Sequence, residues 1–166
     1  MSSKLSERRS IDARSVGCVV EIFVDNDTGG EDVPNMEDIR RFVAAAVCHC
    51  AVDRDEVAIR FVRETEMRDV NLKYRGKDAS TNVLSFAFED PPGVASRILG
   101  DLLISPAVVR REALAQSKAV QEHFAHLIVH GTLHLCGYDH DTDEDAARME
   151  ALEVEILGDL GVNNPY

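Results

Sequence analysis

The stretch from Ala119 to Cys136 constrains this chain more than any other. Its residues are apolar on most sides at helical spacing, and a helix without a broad polar face has to be wrapped by other parts of the same domain. Gly137 follows at the point where a left-handed residue can stop the helix and turn the chain back. The remaining segments must therefore supply the apolar faces that enclose this helix.

Those segments are legible from their periods. Cys18 to Val24 carries Val20, Ile22 and Val24 at period two and predicts a first strand, and the run Asp25 to Gly30 supplies turn chemistry. Asn35 caps a predicted helix whose stripe is Ile39, Phe42, Val43, Ala46, Val47 and Cys50. Val57, Ile59 and Phe61 mark a second strand, and Met67, Val70 and Tyr74 a helix that delivers Arg75 and Gly76 at its end. Leu84, Phe86 and Phe88 alternate as a third strand, the Pro91-Pro92-Gly93 turn follows, and Ile98 to Ile104 forms a fourth. Ser105 and Pro106 open another helix; after the apolar one, Thr142 with Asp145 resembles a capping box for a last helix with Met149, Leu152 and Ile156 inward. This order predicts an α+β fold, a small mixed β-sheet of about four strands covered by about five helices.

With 166 residues and 45% apolar content, one core is affordable without disulfides. Residues 1–15 are polar and aperiodic and read as a flexible leader, leaving 16–166 as a single domain. No apolar run approaches the roughly 20 residues that cross a bilayer, and the start MSSKLSERRS lacks the apolar middle of a secretory signal. The expected place is the cytoplasm, with no membrane partner. Cys18, Cys48, Cys50 and Cys136 show no metal-finger spacing and are expected as thiols packed as small apolar groups.

The net charge of -12 argues against nonspecific binding to a polyanion. Residues 60–77 are locally positive through Arg60, Arg63, Arg68, Lys73, Arg75 and Lys77, whereas from Asp139 onward carboxylates dominate and Arg148 is the lone cation. A phosphate-facing patch therefore has one natural location.

The segment 130–140 reads HGTLHLCGYDH. On a helix His130 and His134 lie one turn apart on the same face, and a turn through Gly137, Tyr138 and Asp139 can bring His140 to the same point. Three imidazole donors around one ion suit zinc, one per chain, and three protein ligands with an open fourth position suit reaction rather than a purely structural role. His126 continues the face by a further turn, as a fourth ligand, a supporting group or a packed histidine; His123 and His49 look ordinary. Asp139 and Asp141 read equally as groups orienting a ligand and as solvated loop carboxylates. The spacing also resembles the zinc-protease motif H-E-x-x-H-x-x-G-x-x-H, but Gly131 stands where a protease carries its general-base glutamate.

HGTLHLCGYDH, together with Asn71-Leu72, Tyr74-Arg75, Lys77-Asp78, Thr81-Asn82-Val83-Leu84-Ser85-Phe86 and Gly100-Asp101, resembles the YbeY family of bacterial endoribonucleases from about Val20 to the last helix. The resemblance implies a zinc-hydrolase-like fold and a metal-dependent, single-strand-specific endoribonuclease. It further implies a role in ribosomal RNA maturation, notably the 3′ end of the small-subunit RNA, and in ribosome quality control, with ribosomal RNA and the small ribosomal subunit as partners. It implies that His130, His134 and His140 bind zinc and that Arg75 is the catalytic arginine. Arg75 has a planar fork suited to gripping phosphate, and Lys77 offers an additional point charge for substrate. The chain departs from the family at Ser80 and Ala87, where proline is frequent. Two other readings are a zinc metallopeptidase-like hydrolase and a ribosome assembly factor whose metal is structural.

Overall fold

Side chains that alternate across a pleated strand give a sheet two different faces, and the two faces here are covered differently. The computed structural model describes residues 18–166, so the proposed leader, 1–15, lies outside the described residues. Strands β1 (Glu21–Asn26), β2 (Glu56–Phe61), β3 (Val83–Ala87) and β4 (Ile98–Ile104) form one sheet in the order β1-β2-β4-β3. β2 lies parallel to both β1 and β4, and β3 is antiparallel to β4. Helix α1 (Met36–Cys48) provides the crossover that the parallel β1–β2 pair requires, and α2 (Glu64–Arg75) leads from β2 toward β3. Helices α3 (Pro106–Ala115), α4 (Val120–Leu135) and α5 (Asp143–Asp159) complete the described residues. The expected α+β class is what the chain forms, with four strands and five helices among the described residues.

β1 starts and ends later than its apolar run. Asp25 and Asn26 still pair with Arg60 and Phe61, because the ladder is made by backbone groups and outlasts the alternation of side chains.

Val57, Ile59 and Phe61 of β2 and Leu102 and Ile104 of β4 point to one face and join α1, α4 and α5 in the main core. The opposite face holds a smaller cluster, Val62, Met67, Leu84 and Leu103, under α2. The apolar helix takes the central position: α4 touches α1, α3, α5, β3 and β4, and Phe124 meets Phe61 edge to face at 6.1 Å. It packs tightly on the sheet at Gly131, where a Cβ would lie 2.9 Å from Leu102 Cδ2 and 3.2 Å from Ser85 Oγ. Asn35 and Thr142 cap α1 and α5 by accepting the backbone N–H of Asp38 and Asp145, contacts worth about 1 kcal/mol each.

Two of the cysteines depart from expectation, whereas Cys50 and Cys136 are free thiols as expected. Cys18, just before β1, and Cys48, at the end of α1, are paired with their Cα atoms 5.7 Å apart, a span that fits a disulfide. Two segments 30 residues apart in sequence meet there, which spacing alone does not disclose. No helix among the described residues is long and apolar enough to cross a membrane.

Candidate metal centre and adjoining cleft

α4 carries His130 and His134 on one face, one turn apart, with ring centroids 4.6 Å from each other. The helix ends at Leu135, and Gly137 adopts a φ of 98° that reverses the chain while the N–H of Tyr138 bonds back to the carbonyl of Leu133. Asp139 shapes the next step by accepting the backbone N–H of His140 at 2.8 Å, and the His140 ring arrives 4.9 Å from that of His134. One ligand atom from each of the three histidines lies within 4.8 Å of the other two. The Asp139 contact runs to backbone rather than to an imidazole, so this carboxylate forms the turn; Asp141 is exposed beside it.

Hydrogen bonding decides which nitrogens face inward. His134 Nδ1 lies 2.9 Å from the carbonyl oxygen of Tyr138, a pure acceptor, so Nδ1 carries the proton. His130 Nδ1 meets the carboxylate of Glu153 and is likewise the donor. In the neutral rings both Nε2 atoms are therefore bare lone pairs, and they face each other at 3.1 Å. Two lone pairs at that distance repel unless a cation lies near them. Burial, then the neighbouring charges of His130 and His140, push the pKa of His134 below its ordinary value, which keeps the ring neutral and able to ligate.

A second group, His126, His130 and Glu153, is also close enough to hold an ion. Its carboxylate is already engaged on both oxygens, by His130 Nδ1 on one and the Tyr166 hydroxyl on the other. We read it as support for the first group. Burial would raise the pKa of Glu153, but His126 and His130 more than offset this and hold it at about 2, so the carboxylate is ionised. Sequence reading missed Glu153, yet a signal was present: it lies on the same stripe of α5 as Met149 and Ile156, a charged residue in an apolar row.

In front of the histidines lies a cleft of about 470 Å³, walled by the segment Thr81–Ser85, by His130 and His134, by Gly137–Asp139 and by Arg75. Arg75 is the last residue of α2, and Gly76 stops the helix in the left-handed conformation at φ 68°. The following loop is tied down by Asn71, whose side-chain N–H donates to the Ala79 carbonyl at 2.7 Å, and by a two-pronged Arg68–Asp78 pair. Asn82 donates to Glu112, which also accepts from His123 at 2.8 Å. Within the cationic stretch, Arg60 is neutralised by Asp27 and Glu66, and Arg68 by Asp78. Among the described residues no carboxylate pairs with Arg75. Lys77 is exposed and is absent from the cleft wall, so the structure does not bring it to the histidines.

The model of the family described as "Endoribonuclease YbeY" matches residues 24–161, from the first strand through the last helix. This chain belongs to the YbeY family. An Endoribonuclease YbeY of Alteromonas mediterranea is 47% identical over 135 residues, covering 81% of this chain and 85% of the relative. One from Chromohalobacter salexigens is 48% identical over 141 residues, covering 84% and 92%. The fold is also that of TM1509 from Thermotoga maritima, solved in solution, with a TM-score of 0.56 at 22% identity over 86% of this chain and 92% of that one. As a YbeY family member this chain carries serine at position 80, and its hydroxyl donates to Glu64 at 2.8 Å. That bond ties the loop after Arg75 to the start of α2.

Proposed function

We propose that this YbeY family protein is a zinc-dependent endoribonuclease that cuts single-stranded RNA, with His130, His134 and His140 holding the metal and Arg75 holding the phosphate. The observation that carries the reading is the pair of bare Nε2 atoms 3.1 Å apart, opening on a cleft that also contains Arg75, which no carboxylate among the described residues pairs. Three neutral nitrogen donors suit zinc. When bound, such an ion lowers the pKa of water toward neutrality and offsets charge on a phosphoryl oxygen.

The chain's own residues do the rest. The guanidinium of Arg75 grips the phosphate with two parallel N–H donors and sets the distance between the scissile bond and the histidines. The His130–Glu153 and His134–Tyr138 contacts place the ring proton on Nδ1, so that in the neutral rings the inward Nε2 atoms are the bare ones. A net charge of -12 limits adhesion to RNA elsewhere on the surface, so selection rests on this one cleft. Lys77, exposed two residues past the end of α2, contributes on this reading a point charge to flanking RNA rather than to the scissile phosphate. The family points to ribosomal RNA as the substrate, the 3′ end of the small-subunit RNA in particular, to the small ribosomal subunit and its quality control as context, and to the cytoplasm as location.

The peptidase reading fares worse because of packing as well as sequence. Gly131 is buried against Leu102, Ser85 and Val83, so the position that would carry a protease's glutamate has no room for one. A purely structural metal is disfavoured by the open cleft beside the histidines.

Purified protein incubated with single-stranded RNA and with a duplex of the same sequence tests the reading. Cleavage is expected of the single strand and is expected to stop on chelation and return with zinc. Arg75→Ala is expected to lower the single-turnover rate by roughly 10²–10³-fold, the usual loss for a donor aimed at developing charge, with unchanged metal content and melting temperature. Arg75→Lys should recover only part, since an ammonium keeps the charge without the fork. Peptide hydrolysis without RNA cleavage, or cleavage indifferent to chelator, would overturn the proposal.

A further inference from the structure

Glu153 stands apart among the carboxylates of the described residues: it is fully buried, yet it lies on α5, an element that supplies no histidine to the triad. An ionised carboxylate taken out of water is expensive unless its oxygens are met by donors. Both are. His130 Nδ1 donates to Oε1, and the Tyr166 hydroxyl, arriving from beyond the end of α5, donates to Oε2. His126 Nε2 stands 3.7 Å from the same Oε2 and 3.5 Å from the Tyr166 oxygen, closing the group on its remaining side. A buried acid fixed from three directions and touching one nitrogen of a triad histidine has a stated physical use. It pins the ring's rotation, locks the proton on Nδ1 and makes Nε2 a stronger donor.

We infer that Glu153 is a positioning residue for the metal centre, acting through His130, and that Tyr166 is the group that holds Glu153 in place for that task. The inference rests on the proposed metal role of the histidine triad. His126 belongs to this supporting group, and the triad needs no fourth ligand from it. The arrangement makes Tyr166, beyond the end of α5, part of the metal centre although no residue after His140 is a ligand.

The test is zinc affinity, measured by competition with a chelator of known affinity on the full chain, together with the visible absorption of the cobalt-substituted protein. Glu153→Gln keeps the shape and an acceptor for His130 while removing the charge. It is expected to weaken zinc binding about 10–100-fold, the usual loss for such a partner, and to alter the cobalt bands. Tyr166→Phe removes one hydroxyl at an exposed ring and is expected to weaken binding by a smaller factor in the same direction, with the metal-free melting temperature near wild type. Should Glu153→Gln fail to fold, Tyr166→Phe carries the test alone. Wild-type affinity and cobalt spectrum in every folded variant would overturn the inference while leaving the triad intact. A wild-type protein that binds no divalent ion would remove the triad reading and this inference with it.

Discussion

Replacing His134 by alanine is expected to empty the metal site and abolish chelator-sensitive RNA cleavage while leaving the metal-free fold nearly as stable as wild type. The ring is half-buried and its one hydrogen bond is to the Tyr138 carbonyl, so the structural loss is about 1 kcal/mol. The functional loss is far larger. Removing a ligand takes away a donor bond outright, and the drop in affinity should exceed the roughly 10–100-fold that follows loss of a mere supporting contact. His140→Ala should behave in the same way, since that ring is exposed. His130→Ala differs: it leaves one oxygen of the buried Glu153 carboxylate without its donor, an unsatisfied buried acceptor that costs about 1–3 kcal/mol. Elemental analysis and thermal melts in chelator separate these outcomes. Metal content like that of wild type in all three variants would refute the assignment.

The second large effect is expected at a residue far less conspicuous than a histidine. Gly100, in β4, holds φ at 153°, and a Cβ there would fall inside the contact distance of the Phe86 carbonyl oxygen, 2.7 Å from Leu135 Cδ2 and 3.0 Å from the Ala87 Cα. Two of those three atoms are backbone and cannot rotate away. Gly100→Ala must push β3 off β4 or displace the end of α4, and we expect a loss of about 3–5 kcal/mol, on the order of 10 °C in melting temperature. Because Leu135 adjoins His134, the damage should reach metal affinity too. Gly158→Ala serves as the control. That glycine is helical with open space around its Cβ position, so alanine should be neutral or stabilising by up to about 1 kcal/mol. Equal melting temperatures for the two variants would show that the approach at Gly100 is not as tight as described.

What the sequence disclosed follows the range of each contact. The triad was legible because His130, His134 and His140 sit on one helix and one turn, where spacing alone fixes direction. Arg75 was legible as a helix-terminal residue through Tyr74 and Gly76, although its nearness to the histidines depends on α2, β3 and α4 coming together. Glu153 was not read, because its partner lies 23 residues away on another helix, and a charged residue within an apolar stripe announces burial without naming what it meets. Lys77 was taken as part of the same cationic group as Arg75, but a helix end lets two neighbouring cations point to different places. The Cys18–Cys48 pair and the tight approach at Gly100 are both contacts between distant segments, and local periodicity carries no trace of either.

The compactness of the triad in sequence also bears on how the protein and its metal assemble. All three histidines fall within eleven residues, so an unfolded chain keeps them together and retains some hold on zinc. An ion that binds only the native state at 100 times its dissociation constant stabilises by about 2.7 kcal/mol, and any affinity for the unfolded chain subtracts from that figure. Zinc is therefore expected to raise the melting temperature by less than its measured affinity implies. A shift that matches the full native-state value would mean that the ligands are gathered by the fold and not by their nearness along the chain.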